Sequence, residues 1–339
     1  MQKQKITAGV DIGGTNTVLG FIKKNGECIF STSIPTNPEE NADKFIIRLT
    51  RMINTSYKKY SSNYCLAGIG IAAPMANHSN GTIETPSNIN WGKVNFVAKL
   101  KKNFEVPISI MNDANAAALG EYEFGLGKGL KNFIVITLGT GLGSGIIING
   151  NLLYGEGGLT SEIGHTIVHP NGRQCNCGRS GCLETYVSSN GIRRTVFYLM
   201  AEYNEQSELR NIPFARVNGK LINDLAIKGD PIAMRAFQYT GEVLGKALAN
   251  LAISFVPEAI ILFGGLADSG DLLLNPTRKH FENNLLSNYK RKVKILKSSM
   301  NDGMSAILGA SSLISKEIST CFPIPDANKN LGKLNKKIS

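Results

Sequence analysis

Two stretches of the chain carry the same pattern, and any fold must accommodate both. Ile6 to Ile12 is an apolar run that reads as a buried strand, Gly13-Gly14-Thr15 makes a turn, and Thr17 to Ile22 returns as a second strand. Phe133 to Leu138 repeats the strand, Gly139-Thr140-Gly141-Leu142-Gly143 the turn, and Ser144 to Ile148 the return. Each reads as a β-hairpin with a small tip. Each also opens a run of mixed α/β sequence, so the chain is expected to form two related lobes that face each other. Neither tip has the spacing G-x-x-x-x-G-K-[ST], which excludes a P-loop. The second lacks G-x-G-x-x-G spacing and leads into a strand rather than a helix, which argues against a dinucleotide site. A tip of glycine and threonine can still offer N–H groups and a hydroxyl to phosphate oxygens, because no Cβ bars the approach. The alternative is a pair of ordinary tight turns. Asp11 stands where the first strand meets its turn.

Between and beyond the hairpins the chain alternates helix and strand. Phe45, Ile46, Leu49, Met52 and Ile53 recur at the spacing of one amphipathic helix face. Cys65 to Ala72 reads as a small-residue strand ended by Pro74. Val106 to Met111 is another, and it delivers Asn112 and Asp113 to its C-terminal end. An alanine-rich helix follows over Ala114 to Tyr122. Asn and Asp at that junction suit a helix N-cap, and equally a pair of groups for proton chemistry. Gly191 to Tyr203 and Asp230 to Val256 read as helices, Ala259 to Phe263 as a buried strand ending in Gly264-Gly265, and Val293 to Leu296 as a further strand. Met304 to Ile318 is an apolar helix expected to cross back to the first lobe.

Ser161 to Glu184, SEIGHTIVHPNGRQCNCGRSGCLE, holds His165, Cys175, Cys177 and Cys182, with Glu162 and Glu184 near its ends. Three cysteines and a histidine suit a tetrahedral structural zinc. Such soft ligands argue against magnesium or calcium at the same place. Gly178 and Gly181 permit the tight turns that would gather the ligands. Four protein ligands leave no open position, so the metal would shape a loop rather than activate water. His169 is a rival ligand four residues further on.

The formal net charge of +11 invites a nucleic-acid reading. Part of that charge lies in the tail, at Lys329, Lys333, Lys336 and Lys337, and the remainder is scattered. A solvated basic surface that tolerates anionic substrates is the better reading, and no nucleic-acid partner is expected. No apolar run is long enough to span a bilayer, and the N-terminus has no signal-peptide core. A cytoplasmic protein without a membrane partner is expected, with Cys28, Cys65 and Cys321 as free thiols.

E-I-G-H followed by C-x-C-G-x-x-G-C-L-E resembles the ROK family of bacterial sugar kinases and sugar-responsive repressors, and the resemblance runs from Gly9 to about Ile318. It implies an α/β, two-lobed actin/hexokinase-like (ribonuclease H-like) ATPase fold with duplicated lobes and a cleft between them. Residues 1–118 with about 304–320 would form the small lobe, 119–303 the large lobe, and 321–339 a poorly ordered tail. M-N-D-A-N-A-A-A-L-G-E matches the family stretch whose aspartate is the general base, which implies that role for Asp113. The resemblance places Asp11 on Mg²⁺, Gly13, Gly14, Thr15, Gly139, Thr140 and Gly141 on the phosphates of ATP, and Gly264 and Gly265 on the adenosine side. A plain strand-ending turn is the alternative for the last pair. Asn112, Asp113, Glu162, His165 and Glu184 match the sugar ligands, and Ser87 and Asn88 lie in the loop that adds further hydroxyl contacts. The resemblance also prefers His165 to His169 as the zinc ligand and implies a homodimer. The expected activity is ATP-dependent phosphorylation of a hexose at its 6-hydroxyl, with glucose first and N-acetylglucosamine, N-acetylmannosamine and fructose as alternatives. A repressor of the family would carry a helix-turn-helix before the first hairpin, which is not expected here. Asp11 and Asp113 argue further against a repressor or a silent sugar-binding subunit.

Overall fold

The structure is a computed structural model that describes residues 3–86, 89–155, 160–300 and 303–321, the last three without their side chains. The chain begins with strands β1 (Gln4–Ile12), β2 (Asn16–Lys23) and β3 (Cys28–Pro35), then helix α1 (Ala42–Lys58) and strand β4 (Tyr64–Ala73). A small antiparallel sheet follows, made of β5 (Ala76–Asn77), β6 (Thr82–Glu84) and β7 (Lys93–Val94). Helix α2 (Phe96–Lys101), strand β8 (Ile108–Asn112) and helix α3 (Asp113–Phe124) complete the first half. The second half holds β9 (Phe133–Leu138), β10 (Leu142–Ile148), β11 (Asn151–Leu152), α4 (Ser189–Glu202), α5 (Gly219–Ile227), α6 (Pro231–Phe255), β12 (Ala259–Phe263), α7 (Asp271–Asn284), β13 (Lys294–Lys297) and α8 (Met304–Cys321).

The repeat seen in the sequence is a repeat of topology. The first five-stranded sheet runs β3-β2-β1-β4-β8, and the second runs β11-β10-β9-β12-β13. In each, the hairpin strands pair antiparallel and the next two strands join parallel. This is the duplicated α/β arrangement that the two hairpins predict. In such sheets the carboxyl ends of the parallel strands are where ligands bind, and both hairpin tips lie at that end.

The α1 face predicted from spacing is the buried one, with Phe45, Ile46, Leu49, Met52 and Ile53 all in the core of the first sheet. Asn41 caps this helix, accepting from the Asp43 N–H at 2.7 Å. Helix α3 behaves differently. Ala114 to Glu121 are buried all round, as befits a helix enclosed on every side. Its alanines share a core cluster with Phe133 and Val135 of β9 and with Ala306, Ala310 and Leu313 of α8. Helix α8 therefore returns to the first half, against α3, β1 and β4. The approach is close: a Cβ on Gly309 would lie 1.7 Å from the Ala116 carbonyl oxygen.

Several elements differ from the sequence expectation. Strand β3 alternates Ser and Thr with apolar residues and pairs only with β2 at the sheet's edge, so its apolar signal is weak. Helix α7 contains Pro276, which reads as a helix breaker. Gly241 of α6 lies directly against that ring. Strand β10 begins at Leu142 rather than Ser144, which shortens the second tip to Gly139–Gly141. Among the described residues no helix is long and apolar enough to cross a membrane. Cys28 and Cys65 are free thiols. The Cys321 side chain and residues 322–339 lie outside the described residues, so the tail expectation is not addressed.

Candidate active site

The first tip is small, braced and open. Gly13 N–H donates to the Asn16 carbonyl at 3.0 Å, closing the turn. The buried Thr36 braces it from beneath: its hydroxyl donates to the Gly13 carbonyl at 2.7 Å and meets the Thr17 hydroxyl at 2.9 Å. Its N–H donates to the Thr15 carbonyl at 2.8 Å. Among the described residues, the N–H groups of Gly14 and Thr15 have no partner. Two successive free amides of this kind form an anion-binding concavity.

The second tip repeats the geometry with other braces. Gly139 N–H donates to the Gly141 carbonyl at 3.0 Å, and the N–H groups of Thr140 and Gly141 have no partner among the described residues. Here the brace is a carboxylate: Glu184 Oε2 accepts from the Leu142 N–H at 2.9 Å. A Cβ on Gly141 would sit 2.5 Å from that oxygen. Ser189 N–H donates to the Gly139 carbonyl at 2.9 Å, and Asn190 Nδ2 donates to the Thr140 carbonyl at 3.2 Å. Glu184, expected on sugar, thus also supports a tip expected on phosphate.

The two readings of Asn112-Asp113 divide between the two residues. Asn112 is the N-cap of α3, its Oδ1 accepting from Ala114 N–H at 2.9 Å and Asn115 N–H at 3.3 Å. Asp113 comes next, with Oδ1 accepting from Ala114 N–H at 2.8 Å and the second oxygen uncommitted among the described residues. Asn112 pairs in register with Ala73 of β4, and Asp11 with Ala72 of the same strand. The two aspartates therefore flank the carboxyl end of β4, about two strand spacings apart, roughly 10 Å between backbones. Burial, and then the Asp113 carboxylate, push Asp11 up to about 7. Burial also raises Asp113, against the Ala114 N–H that lowers it. Neither has a Lys, Arg or His partner within ion-pair distance among the described residues. A buried carboxyl without a cationic side-chain partner, as at Asp11, suits a divalent cation, and Mg²⁺ with its retained water is the hard ion that oxygen ligands suit.

The predicted metal loop closes on itself. Cys175 N–H donates to Arg179 O at 2.8 Å, Gly178 N–H to Cys175 O at 3.0 Å and Gly181 N–H to Arg173 O at 2.8 Å. Gly181 has φ of 80°, and a Cβ there would lie 1.8 Å from the His169 carbonyl oxygen, so only glycine fits. The ligand atoms of His165, Cys175, Cys177 and Cys182 lie within 4.8 Å of one another. Cys177 and Cys182 Sγ are 3.7 Å apart, and Cys175 Sγ is 3.6 Å from His165 Nδ1. A tetrahedral zinc with Zn–S of about 2.3 Å and Zn–N of about 2.0 Å sets S···S near 3.8 Å and S···N near 3.5 Å. The donor set and its spacing both fit. His169 lies apart, its ring 4.7 Å from that of Tyr186.

His165 joins this loop to the carboxylates. With Nδ1 toward the thiols, Nε2 points the other way, 4.0 Å from Glu162 Oε2. Burial raises the Glu162 pKa, the His165 ring lowers it, and the Asp113 and Glu184 carboxylates raise it further. Asp11, Asp113, Glu162 and Glu184 thus influence one another between the two tips, and Glu184 touches the second. Sequence reasoning missed Thr36, Asn190 and Arg173. The last donates to Thr185 O at 2.9 Å and Gly191 O at 3.1 Å and lies 4.4 Å from the centre of the Tyr186 ring, tying the metal loop to α4. Gly264 follows β12 with φ of 99°, and a Cβ there would lie 2.9 Å from the Leu138 carbonyl oxygen. Its glycine is therefore required by the backbone turn, whereas Gly265 faces open space. Ser87 and Asn88 lie outside the described residues.

Comparison with known proteins bears on this site. The sequence profile of the ROK family matches residues 7–317. A glucokinase from Halalkalibacterium halodurans is 37% identical over 278 residues, spanning 81% of this chain and 84% of that enzyme. The crystal structure of a ROK family glucokinase from Streptomyces griseus in complex with glucose and AMPPNP superposes with a TM-score of 0.78 at 32% identity, covering 92% of this chain and 99% of that one. A xylose repressor from Bacillus subtilis is 31% identical over 254 residues, 75% of this chain and 62% of the repressor.

Proposed function

The chain belongs to the ROK family, and from that premise we propose that it is an ATP-dependent sugar kinase that phosphorylates a hexose, glucose first, at its 6-hydroxyl. The observation that carries the reading is the group of mutually influencing carboxylates between two amide-lined tips, with the buried Asp113 among them. Its similarity to glucokinases over most of their length supports the substrate.

Asp113 is the general base. A sugar hydroxyl is a weak acid, and a carboxylate within reach can take its proton as the oxygen attacks phosphorus. Burial that raises Asp113 makes it a stronger proton acceptor once ionised. The new O–P bond forms as the bond to the ADP oxygen breaks, and the proton passes to Asp113. Asn112, Glu162, His165 through Nε2, and Glu184 hold the hydroxyls, with Ser87 and Asn88 completing the set. The free N–H groups of Gly14, Thr15, Thr140 and Gly141 cradle phosphate oxygens, Gly13 and Gly139 shape the turns, and Gly264 and Gly265 lie on the adenosine side. Asp11 would hold Mg²⁺, which when bound neutralises charge on the transferring phosphoryl group. Zinc on His165, Cys175, Cys177 and Cys182 would supply rigidity to the segment carrying Glu162 and Glu184 and no chemistry. Metal analysis should return about one zinc per chain. Residues 1–118 with 304–320 and residues 119–303 act as the two lobes of this reading. The protein works as a homodimer, which light scattering would check.

The test is sugar-dependent ADP release across a panel of hexoses and N-acetylhexosamines, with ATP and Mg²⁺ supplied. Release with glucose, exceeding that with fructose and the N-acetylhexosamines, is expected. No release with any sugar would overturn the kinase reading and favour a sugar-sensing role like that named for the xylose repressor.

A further inference from the structure

Arg193 stands beside the second tip with a charge that its surroundings do not neutralise. It lies one turn into α4, whose start is fastened to the tip by Ser189 and Asn190. The Asn190 amide that donates to the Thr140 carbonyl accepts, on its other atom, from Arg193 Nη2 at 3.1 Å. Thr140, Asn190 and Arg193 therefore form one chain of contacts. The guanidinium lies 4.3 Å from the centre of the exposed Phe214 ring, and that ring is itself packed 4.8 Å from Phe197. Stack and amide together fix the plane of the fork.

The other half-buried arginines leave no buried nitrogen without an acceptor among the described residues. Arg48 holds the Glu40 carboxylate, and Arg173 and Arg194 donate to backbone carbonyls. Arg193 has the one side-chain amide. Its Nε is buried with no acceptor, and no carboxylate lies within ion-pair distance among the described residues. A partly desolvated guanidinium with an unmet N–H is costly unless an anion completes it. Asn190 joins Arg193 to the tip that carries the unpaired Thr140 and Gly141 amides, and a planar fork suits phosphate oxygens.

We propose that Arg193 is a ligand of the phosphoryl donor, engaging a phosphate group of the nucleotide seated on the second tip. The nature of the anion rests on the kinase reading, so the test measures nucleotide binding directly. Arg193→Gln should weaken ADP, measured by calorimetry with Mg²⁺, about tenfold or more, the usual loss for a charge-assisted bond. Glucose affinity and the thermal midpoint should stay close to wild type. Arg193→Lys keeps the charge without the fork and should fall between; it carries the test if the glutamine variant folds poorly. ADP binding unchanged in both variants would overturn the proposal, whatever the turnover of the wild type. Equal losses of ADP affinity, glucose affinity and thermal midpoint would also overturn it, since Arg193 would then be holding α4 in place. ADP binding that depends on Arg193 in a wild type with no sugar-dependent turnover would uphold it while removing the kinase reading.

Discussion

The two hairpin tips have nearly the same backbone and different attachments. Each closes with one glycine N–H and leaves two successive amides open. The first is braced by a neutral hydroxyl, Thr36, and Asp11 lies in the strand that leads into it. The second is braced by the Glu184 carboxylate, and through it by the loop that carries the cysteine–histidine set. The duplicated tips share their open amides, and the side chains around them differ. On the proposed reading the first tip works with the metal and the base, whereas the second is mechanically tied to Glu184 of the sugar side.

That difference can be broken by substitution. The largest effect should come from Asp11→Ala, which would remove the proposed Mg²⁺ ligand in the strand leading to the first tip. Turnover should fall on the order of 10²-fold or more, while calorimetric glucose affinity stays within about twofold. Glucose affinity lost as severely as turnover would erase the distinction between the tips. Next come the braces. Glu184→Ala should weaken ATP and glucose together, each about tenfold, since one charged acceptor serves both. Thr36→Val should raise the KM for ATP only a few-fold, the scale of a neutral hydrogen bond, and leave glucose alone. If Glu184→Ala weakened glucose alone, the second tip would be as independent of the sugar as the first.

A separate effect is on stability and depends on pH. A carboxyl whose pKa is raised by folding is neutral in both states below about pH 4, so it then carries no penalty. As pH rises from the ordinary 3.8 toward about 7 the unfolded group ionises first, and the folded state loses ground. In protein free of divalent cation, Asp11→Asn should therefore be more stable than wild type above pH 7, by on the order of a few kcal/mol. The gain should shrink to nothing near pH 4. A constant gain across that range, read from denaturant midpoints, would mean that Asp11 is not a strained buried carboxyl.

Much of this was legible in the sequence because it lies in local runs. The hairpins show as apolar segments around Gly/Thr turns, and β9 and β12 fall at their expected bounds. The cysteine–histidine set shows because its three cysteines and the histidine fall within a short stretch. What acts across long separations was not legible. Thr36 reaches the first tip over 23 residues, and Glu184 reaches Leu142 over 42; no local pattern marks either. Arg173, Asn190 and Arg193 look like ordinary surface polar residues until the chain folds around them. The junction at Asn112-Asp113 was ambiguous for a physical reason: the residue types that cap a helix are also those that move protons, and here the cap is Asn112.

The central claim is that Asp113 takes the proton of the sugar hydroxyl. Asp113→Asn keeps the shape and an acceptor oxygen but removes that capacity. The direct measurement is sugar-dependent ADP release at saturating glucose, ATP and Mg²⁺, beside calorimetric glucose binding, for wild type and variant. The account predicts turnover reduced by a factor on the order of 10² or more with glucose still bound. Near-normal turnover in the variant would contradict it.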